Sequence, residues 1–179
     1  SPDGQWLAFS AQYDGNTDVF LISVAGGSPK RLTTHPDPDV VRGFTPDGKA
    51  VLFSSPRSAF AFNGRHHQLF TVPVDGGMPT QLPIPHGYEA SFSPTGEHIA
   101  YNPNRDVTRE WKHYRGGTHG RIWINRTKDH ETIEIPQPEG RCNDFDPQWI
   151  GDTIYFRSDR NGEYNLFAYD TASKSVRQL

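Results

Sequence analysis

The sequence predicts an all-β chain, a β-propeller of four-stranded antiparallel blades. Three observations carry that prediction. A short turn sequence recurs, "SPDG" at Ser1–Gly4, "TPDG" at Thr45–Gly48 and "SPTG" at Ser93–Gly96. Each copy is followed by an apolar run, "QWLAFS", "KAVLFS" and "EHIAYN". The composition suits short strands joined by turns rather than long helices, with 12% aromatics, 17 glycines and 15 prolines among 179 residues.

The turn is chemically explicit. Proline presets φ, Asp or Thr can bond its own backbone, and glycine accepts φ > 0. A degenerate fourth copy lies in "PQWIGD", and the turn glycines Gly4, Gly48, Gly96 and Gly151 stand 44, 48 and 55 residues apart. After each turn comes a strand: Trp6–Ser10, Ala50–Ser54, His98–Asn102 and Thr153–Arg157. A variable loop then leads to a second strand, "TDVFLISV", "HQLFTVPV", "GRIWINR" or "YNLFAYD". Another turn and a short third strand ("RLT", "TQLP", "TIEI", "VRQL") follow, and "VVRGF", "YEASF" and "CNDFDPQW" read as one more strand before the next turn. Four strands in about 45 residues is the period of a propeller blade. The blades are expected at about 1–39, 40–87, 88–142 and 143–179 of a single, partial propeller. Both faces of "WLAFS" and "VLFSS" carry apolar side chains, as sheets stacked between sheets require. A β-sandwich of similar strand count lacks this period and this recurring turn.

Bulk properties remove several function classes. The net charge of −3 gives no nucleic-acid footprint. No stretch approaches the roughly 18 apolar residues of a membrane span, so no membrane partner is expected. The single cysteine, Cys142, excludes an internal disulfide and suits the cytosol, with the periplasm as the alternative. No cofactor and no metal site is expected. His66 and His67 are adjacent and would point apart in a strand, and His113 and His119 share one loop without a geometry-fixing spacing. "YDGNTD" and "SDRNGE" read as turns, because the full calcium-loop pattern is absent. Asn125-Arg126-Thr127 matches a glycosylation sequon, a pattern short enough to arise by chance.

Function concentrates on loops. The loops after the first-listed strands are short in the first and fourth repeats, "AQYDGN" and "SDRNGE". They are long in the second and third, "SPRSAFAFNGRHH" and "PNRDVTREWKHYRGGTHG". Long loops gathered on one face of a rigid scaffold are the usual place for binding. Arg105, Arg109, Trp111, His113, Tyr114 and Arg115 are therefore the candidate peptide- or partner-binding residues, with Lys112 and His119 alongside. Cations among aromatics can hold a peptide carboxylate by charge and its side chains by stacking. The competing reading is that Trp111 and Tyr114 plug the loop against the scaffold while the charges stay solvated. Gly116-Gly117 reads as the return of the loop, since no strand-to-helix context for a phosphate cradle accompanies it. No catalytic residue is assigned: the sequence has no glycine-x-serine-x-glycine elbow, and Cys142 has no evident histidine partner.

The unit "SPDGQWLAFSAQYDGNTDVFLISVAGGSPKRLT" resembles the propeller repeat shared by TolB and the tricorn protease. "REWKHYRGGTHGRIWI" and "DFDPQWIGDTIYFRSDRNGEYNLFAYDTASKSVRQL" narrow the resemblance to the amino-terminal propeller of tricorn-type serine proteases, over essentially the whole chain. The resemblance implies a six-bladed parent propeller, of which four repeats are present. It implies a catalytic serine in other domains, a role in guiding peptides to or from a catalytic chamber, and partners among peptides and the domains or subunits of a peptidase. A stand-alone TolB-like interaction module, or the propeller of a prolyl-oligopeptidase-type hydrolase, remains the alternative. Four repeats either close on themselves or leave blade edges for association between copies.

Overall fold

The computed structural model describes residues 1–57, 66–108 and 111–179. No helix forms among them, and so none is long and apolar enough to cross a membrane. The strands are β1 (Trp6–Ala11), β2 (Asp18–Ser23), β3 (Lys30–Arg31), β4 (Val40–Phe44), β5 (Ala50–Ser55), β6 (Gln68–Pro73) and β7 (Thr80–Gln81). They continue with β8 (Ala90–Phe92), β9 (His98–Tyr101), β10 (Trp123–Arg126), β11 (Thr132–Glu134), β12 (Asp144–Ile150), β13 (Thr153–Ser158), β14 (Asn165–Asp170) and β15 (Ser175–Gln178). Each sheet is an antiparallel meander in chain order, the blade topology: β1-β2-β3, β4-β5-β6-β7, β8-β9-β10-β11 and β12-β13-β14-β15.

The recurring turns explain where β1, β5, β9 and β13 begin. Gly4, Gly48, Gly96 and Gly151 have φ of 69°, 70°, 75° and 59°, the left-handed region that glycine enters without Cβ strain. In the first three copies the glycine N–H donates to the carbonyl three residues back, at 2.9 Å in each. The Asp47 carboxylate accepts from the Lys49 N–H at 3.1 Å and from the Thr45 hydroxyl at 2.7 Å. Those bonds, the Thr45 one foremost, hold Asp47 below the usual carboxylate range.

Two compact units arise, Ser1–Tyr88 and Glu89–Leu179, each with its own core. In the first, Val19, Leu21 and Leu32 of the first sheet pack on Val51, Phe53, Phe70 and Val72 of the second. In the second, Ala100, Ile122, Ile124 and Ile135 pack on Ile154, Phe156, Phe167 and Tyr169, with Trp149 and Val176 at the margin. Strand alternation puts each set on one face of its sheet.

An arginine covers the end of each of two cores. Arg57 lies 5.2 Å from the Phe53 ring centre and 5.1 Å from that of Phe70, and pairs with buried Asp39. Arg160 lies 5.1 and 5.2 Å from Phe156 and Phe167, and its Nη2 meets both Asp144 carboxylate oxygens at 3.0 and 2.9 Å. A serine two residues earlier orients each guanidinium: Arg57 Nε donates to Ser55 Oγ at 3.1 Å, Arg160 Nε to Ser158 Oγ at 3.2 Å. In the first sheet Tyr13 takes the corresponding place, edge-on to Phe20 at 4.9 Å.

Candidate functional site

The later part of the loop between β9 and β10 is held to the fourth sheet by one carboxylate. Asp159 follows β13, and its side chain is fully buried. Its Oδ2 accepts from Arg115 Nη1 at 2.6 Å and from Asn143 Nδ2 at 3.2 Å, and lies 3.2 Å from His113 Nδ1. Its Oδ1 accepts the Asn143 backbone N–H at 2.7 Å. Burial opposes the charge. The Asn143 N–H, the Arg115 guanidinium and the other donors outweigh it, and hold Asp159 below the usual carboxylate range. The Asn143 side chain also donates to the Tyr114 carbonyl at 2.8 Å, and Arg141 Nη1 donates to the Arg115 carbonyl at 3.0 Å. Ion pairs and hydrogen bonds tie this polar loop down, and Val107 near its start is buried.

A second ion-pair group fixes the start of the loop. Arg157 of β13 pairs with Asp106 in the loop and with Asp146 of β12, and its guanidinium stacks 5.1 Å from Phe145 and 5.3 Å from Tyr164. Asp106 accepts from the Thr108 N–H at 2.7 Å and its hydroxyl at 2.5 Å. The Tyr164 ring lies parallel to His113, 6.4 Å between centres, and burial, then the Asp159 charge, push its phenol up to about 12.

The candidate residues thereby divide. His113 and Arg115 are bound to Asp159 inside the frame. Tyr114 is half-buried, and its ring folds over Gly116, where a Cβ would stand 2.0 Å from the hydroxyl oxygen. That contact explains the glycine. Trp111 is 58% exposed and stacks on Tyr114 at 6.0 Å and 29°. Lys112 is exposed and meets Glu163 at 3.4 Å, and Arg105 is exposed. Arg109 lies outside the described residues, as does much of the second long loop. His119 is buried, with its ring nitrogens 2.9 Å from the Gly116 carbonyl and 3.0 Å from Gln137 Oε1. What faces outward is an aromatic platform of Trp111 on Tyr114, with Lys112 and Arg105 nearby in sequence.

Sequence reasoning missed Asp159, Asn143, Arg157 and Gln137. Asp159 sits in the stretch read as a turn, and its partners are 16 to 46 residues away. A positional signal does exist: "SPR" at 55–57 and "SDR" at 158–160 occupy the same place after β5 and β13.

The other chemical candidates resolve locally. Cys142 is fully buried, and burial followed by the Asp144 charge pushes its thiol up to about 12, far from a nucleophilic thiolate. His66 packs against His86 at 4.7 Å, while His67 stacks on Tyr88 at 4.5 Å and is pulled down to about 4 by burial and then Arg42. Among the described residues no three metal-ligating side chains converge. Asp14 and Asp18 of "YDGNTD" both pair with Arg31. Asn125 of the sequon is buried and donates to the His130 carbonyl and Thr132 Oγ1.

Comparison with known proteins adds family context. The family model described as the tricorn protease N-terminal beta propeller domain matches residues 1–179. Tricorn protease homolog 1 of Streptomyces coelicolor is 34% identical over 178 residues, covering 94% of this chain and 15% of that protein. The tricorn protease of Thermoplasma acidophilum is 23% identical, covering 99% of this chain and 17% of that protein. This chain thus spans about a sixth of these relatives' length. Among solved structures, a tricorn protease superposes with a TM-score of 0.79 at 24% identity, over 99% of this chain and 18% of that one. A putative TolB from Agrobacterium tumefaciens gives 0.76 at 21% identity, over 99% of this chain and 62% of that one.

Proposed function

The chain belongs to the tricorn protease N-terminal β-propeller family, and from that premise we propose that it is a non-catalytic propeller segment of a tricorn-like serine peptidase, guiding peptide substrates or products and supporting assembly. The observation that carries the reading is the family match over the whole chain, taken together with the loop between β9 and β10. That loop is fastened to the fourth sheet by Asp159 and presents Trp111 outward, stacked on Tyr114. A fastened aromatic surface beside cations suits transient contact with extended peptides of varied sequence, because stacking and charge need no fixed side-chain register. The catalytic serine belongs to other parts of such a peptidase, and the compartment is the cytosol.

Fluorescence anisotropy of labelled peptides with free carboxyl termini tests this reading. The chain binds them weakly, Trp111→Ala lowers the affinity at least several-fold, and amidation of the peptide carboxylate lowers it further. Equal binding by Trp111→Ala and the parent chain overturns the assignment of the loop. The TolB likeness supports a second reading, a module that binds a folded protein partner. Under that reading peptides fail to bind while one partner co-purifies in fixed ratio.

A further inference from the structure

The recurring turn allows positions to be matched from sheet to sheet. Trp6 and His98 each stand two residues after a turn glycine, and their partners on the next strand are Ser23 and Arg126. Ala50 and Thr153 are placed likewise, with partners Pro73 and Asp170. Four residues after each partner the chain enters the left-handed region, at Gly27, Gly77, His130 and Lys174, with φ of 115°, 122°, 61° and 57°. Glycine suits that region, whereas lysine is uncommon there. Lys30 and Ile133 also correspond, for they pair with Leu21 and Ile124.

These positions lie where two sheets of one compact unit face each other. In the first unit Lys30 crosses from the first sheet to the second and donates to the Val74 carbonyl at 3.1 Å, beside Gly76. Trp6 adds a large ring on the face that carries Ala8. In the second unit the same place, between the third and fourth sheets, is a pocket of about 200 Å³ lined by His98, Ile124, Arg126, Glu131, Ile133 and Lys174. Histidine and isoleucine stand there in place of the tryptophan and the crossing lysine. The polar groups of the pocket are unequally committed. Arg126 pairs with Asp129 and Glu131, which neutralises the Glu131 carboxylate. Lys174 has no hydrogen bond or ion pair among the described residues. The His98 ring has no hydrogen bond among them either, and lies 6.0 Å from the Trp149 ring. Two donors with spare capacity therefore stand beside an aliphatic wall of Ile124 and Ile133.

We propose that this pocket binds a branched aliphatic carboxylate, with its hydrocarbon against Ile124 and Ile133 and its carboxylate on Lys174 and His98. A lysine at this edge needs an acceptor. Lys30 finds one in a backbone carbonyl of the facing sheet, and Lys174 finds one in the ligand, where a charge-assisted bond is stronger than a neutral one. The apolar wall selects hydrocarbon over a bare anion, because burying it removes Ile133 from water. Both walls belong to the unit Glu89–Leu179. His98 and Arg126 stand at the ends of β9 and β10 away from the loop that joins them, so the proposal does not rest on peptide binding by that loop.

Amide NMR of the isotope-labelled chain, titrated with isocaproate, tests the proposal. Saturable shifts are expected at His98, Ile124, Ile133 and Lys174, and much weaker ones with acetate or with isocaproamide. Lys174→Gly installs the residue that the first two sheets use at this turn position, so the fold and its melting temperature are kept. Its affinity for isocaproate falls about tenfold, the loss of one charged hydrogen bond. His98→Trp installs the residue of the first unit, fills the space and abolishes the shifts. An N-acetylated dipeptide ending in leucine identifies the source of the carboxylate. Competition with isocaproate assigns it to a chain end, and failure to compete while isocaproate binds assigns it to a free acid; both support the site. Absence of saturable shifts overturns the proposal, as does unchanged affinity in Lys174→Gly. Binding of acetate or isocaproamide as tight as that of isocaproate overturns it too.

Discussion

At the scale of single residues, Asp159 controls whether the β9–β10 loop keeps its shape. Its pKa is depressed in the folded chain. The stability it contributes is therefore present above the unfolded carboxylate value of about 3.9 and is lost as pH falls through the lower folded value. Amide exchange over residues 111–119 should stay slow from neutrality to about pH 4 and then accelerate before the sheets unfold. Asp159→Asn should speed that exchange at neutral pH and remove its acid dependence. Gly120 shows the opposite kind of constraint. A Cβ there would stand 2.5 Å from the ring of fully buried Phe145, which has no room to withdraw. Gly120→Ala should cost about 1–3 kcal/mol, read as a lower denaturation midpoint. Cys142 should react with a thiol reagent only as fast as the chain opens.

At the scale of the element, each blade has a turn that starts a strand, and the second and fourth sheets add a charged clasp that closes the core. Gly48 holds φ of 70° in its turn. Gly48→Ala should cost about 1–2 kcal/mol, the penalty of a left-handed residue with a Cβ, while leaving the register of β5 intact. The clasp is the costlier part to break. Asp144 is fully buried and Arg160 nearly so, so Arg160→Met leaves a buried carboxylate without its cation. About 3–5 kcal/mol of stability should be lost, measured by chemical denaturation. Removing both charges in Arg160→Met/Asp144→Leu should recover much of it, because the loss comes from the stranded charge rather than from absent attraction. These clasps were hidden in the sequence, where "SPR" and "SDR" look like ordinary turn residues. Nothing local marks an arginine that lies over two phenylalanines of its own blade.

At the scale of the whole molecule, the chain contains two compact units with separate cores, Ser1–Tyr88 and Glu89–Leu179. A chain cut to residues 89–179 keeps the whole core of Ile122, Ile154, Phe156 and their neighbours. It should give a strand-rich circular dichroism spectrum and a cooperative melt, and a featureless melt would show that this core needs the rest of the chain.

The sequence by itself determined the number of repeats, the blade topology and the strands. These rest on local chemistry: a proline and a glycine at fixed positions in the turn, and alternation with period two after it. It also marked the loop between β9 and β10 as the place to expect binding side chains. The tertiary structure decided which of those side chains are available. Asp159 takes His113 and Arg115 into the frame, Gln137 meets His119 in the interior, and Trp111 is left outside. That division depends on where a carboxylate 44 to 46 residues further along the chain comes to lie. Turn and strand patterns act over a few neighbouring residues, whereas burial and ion pairing are settled only when separate sheets meet.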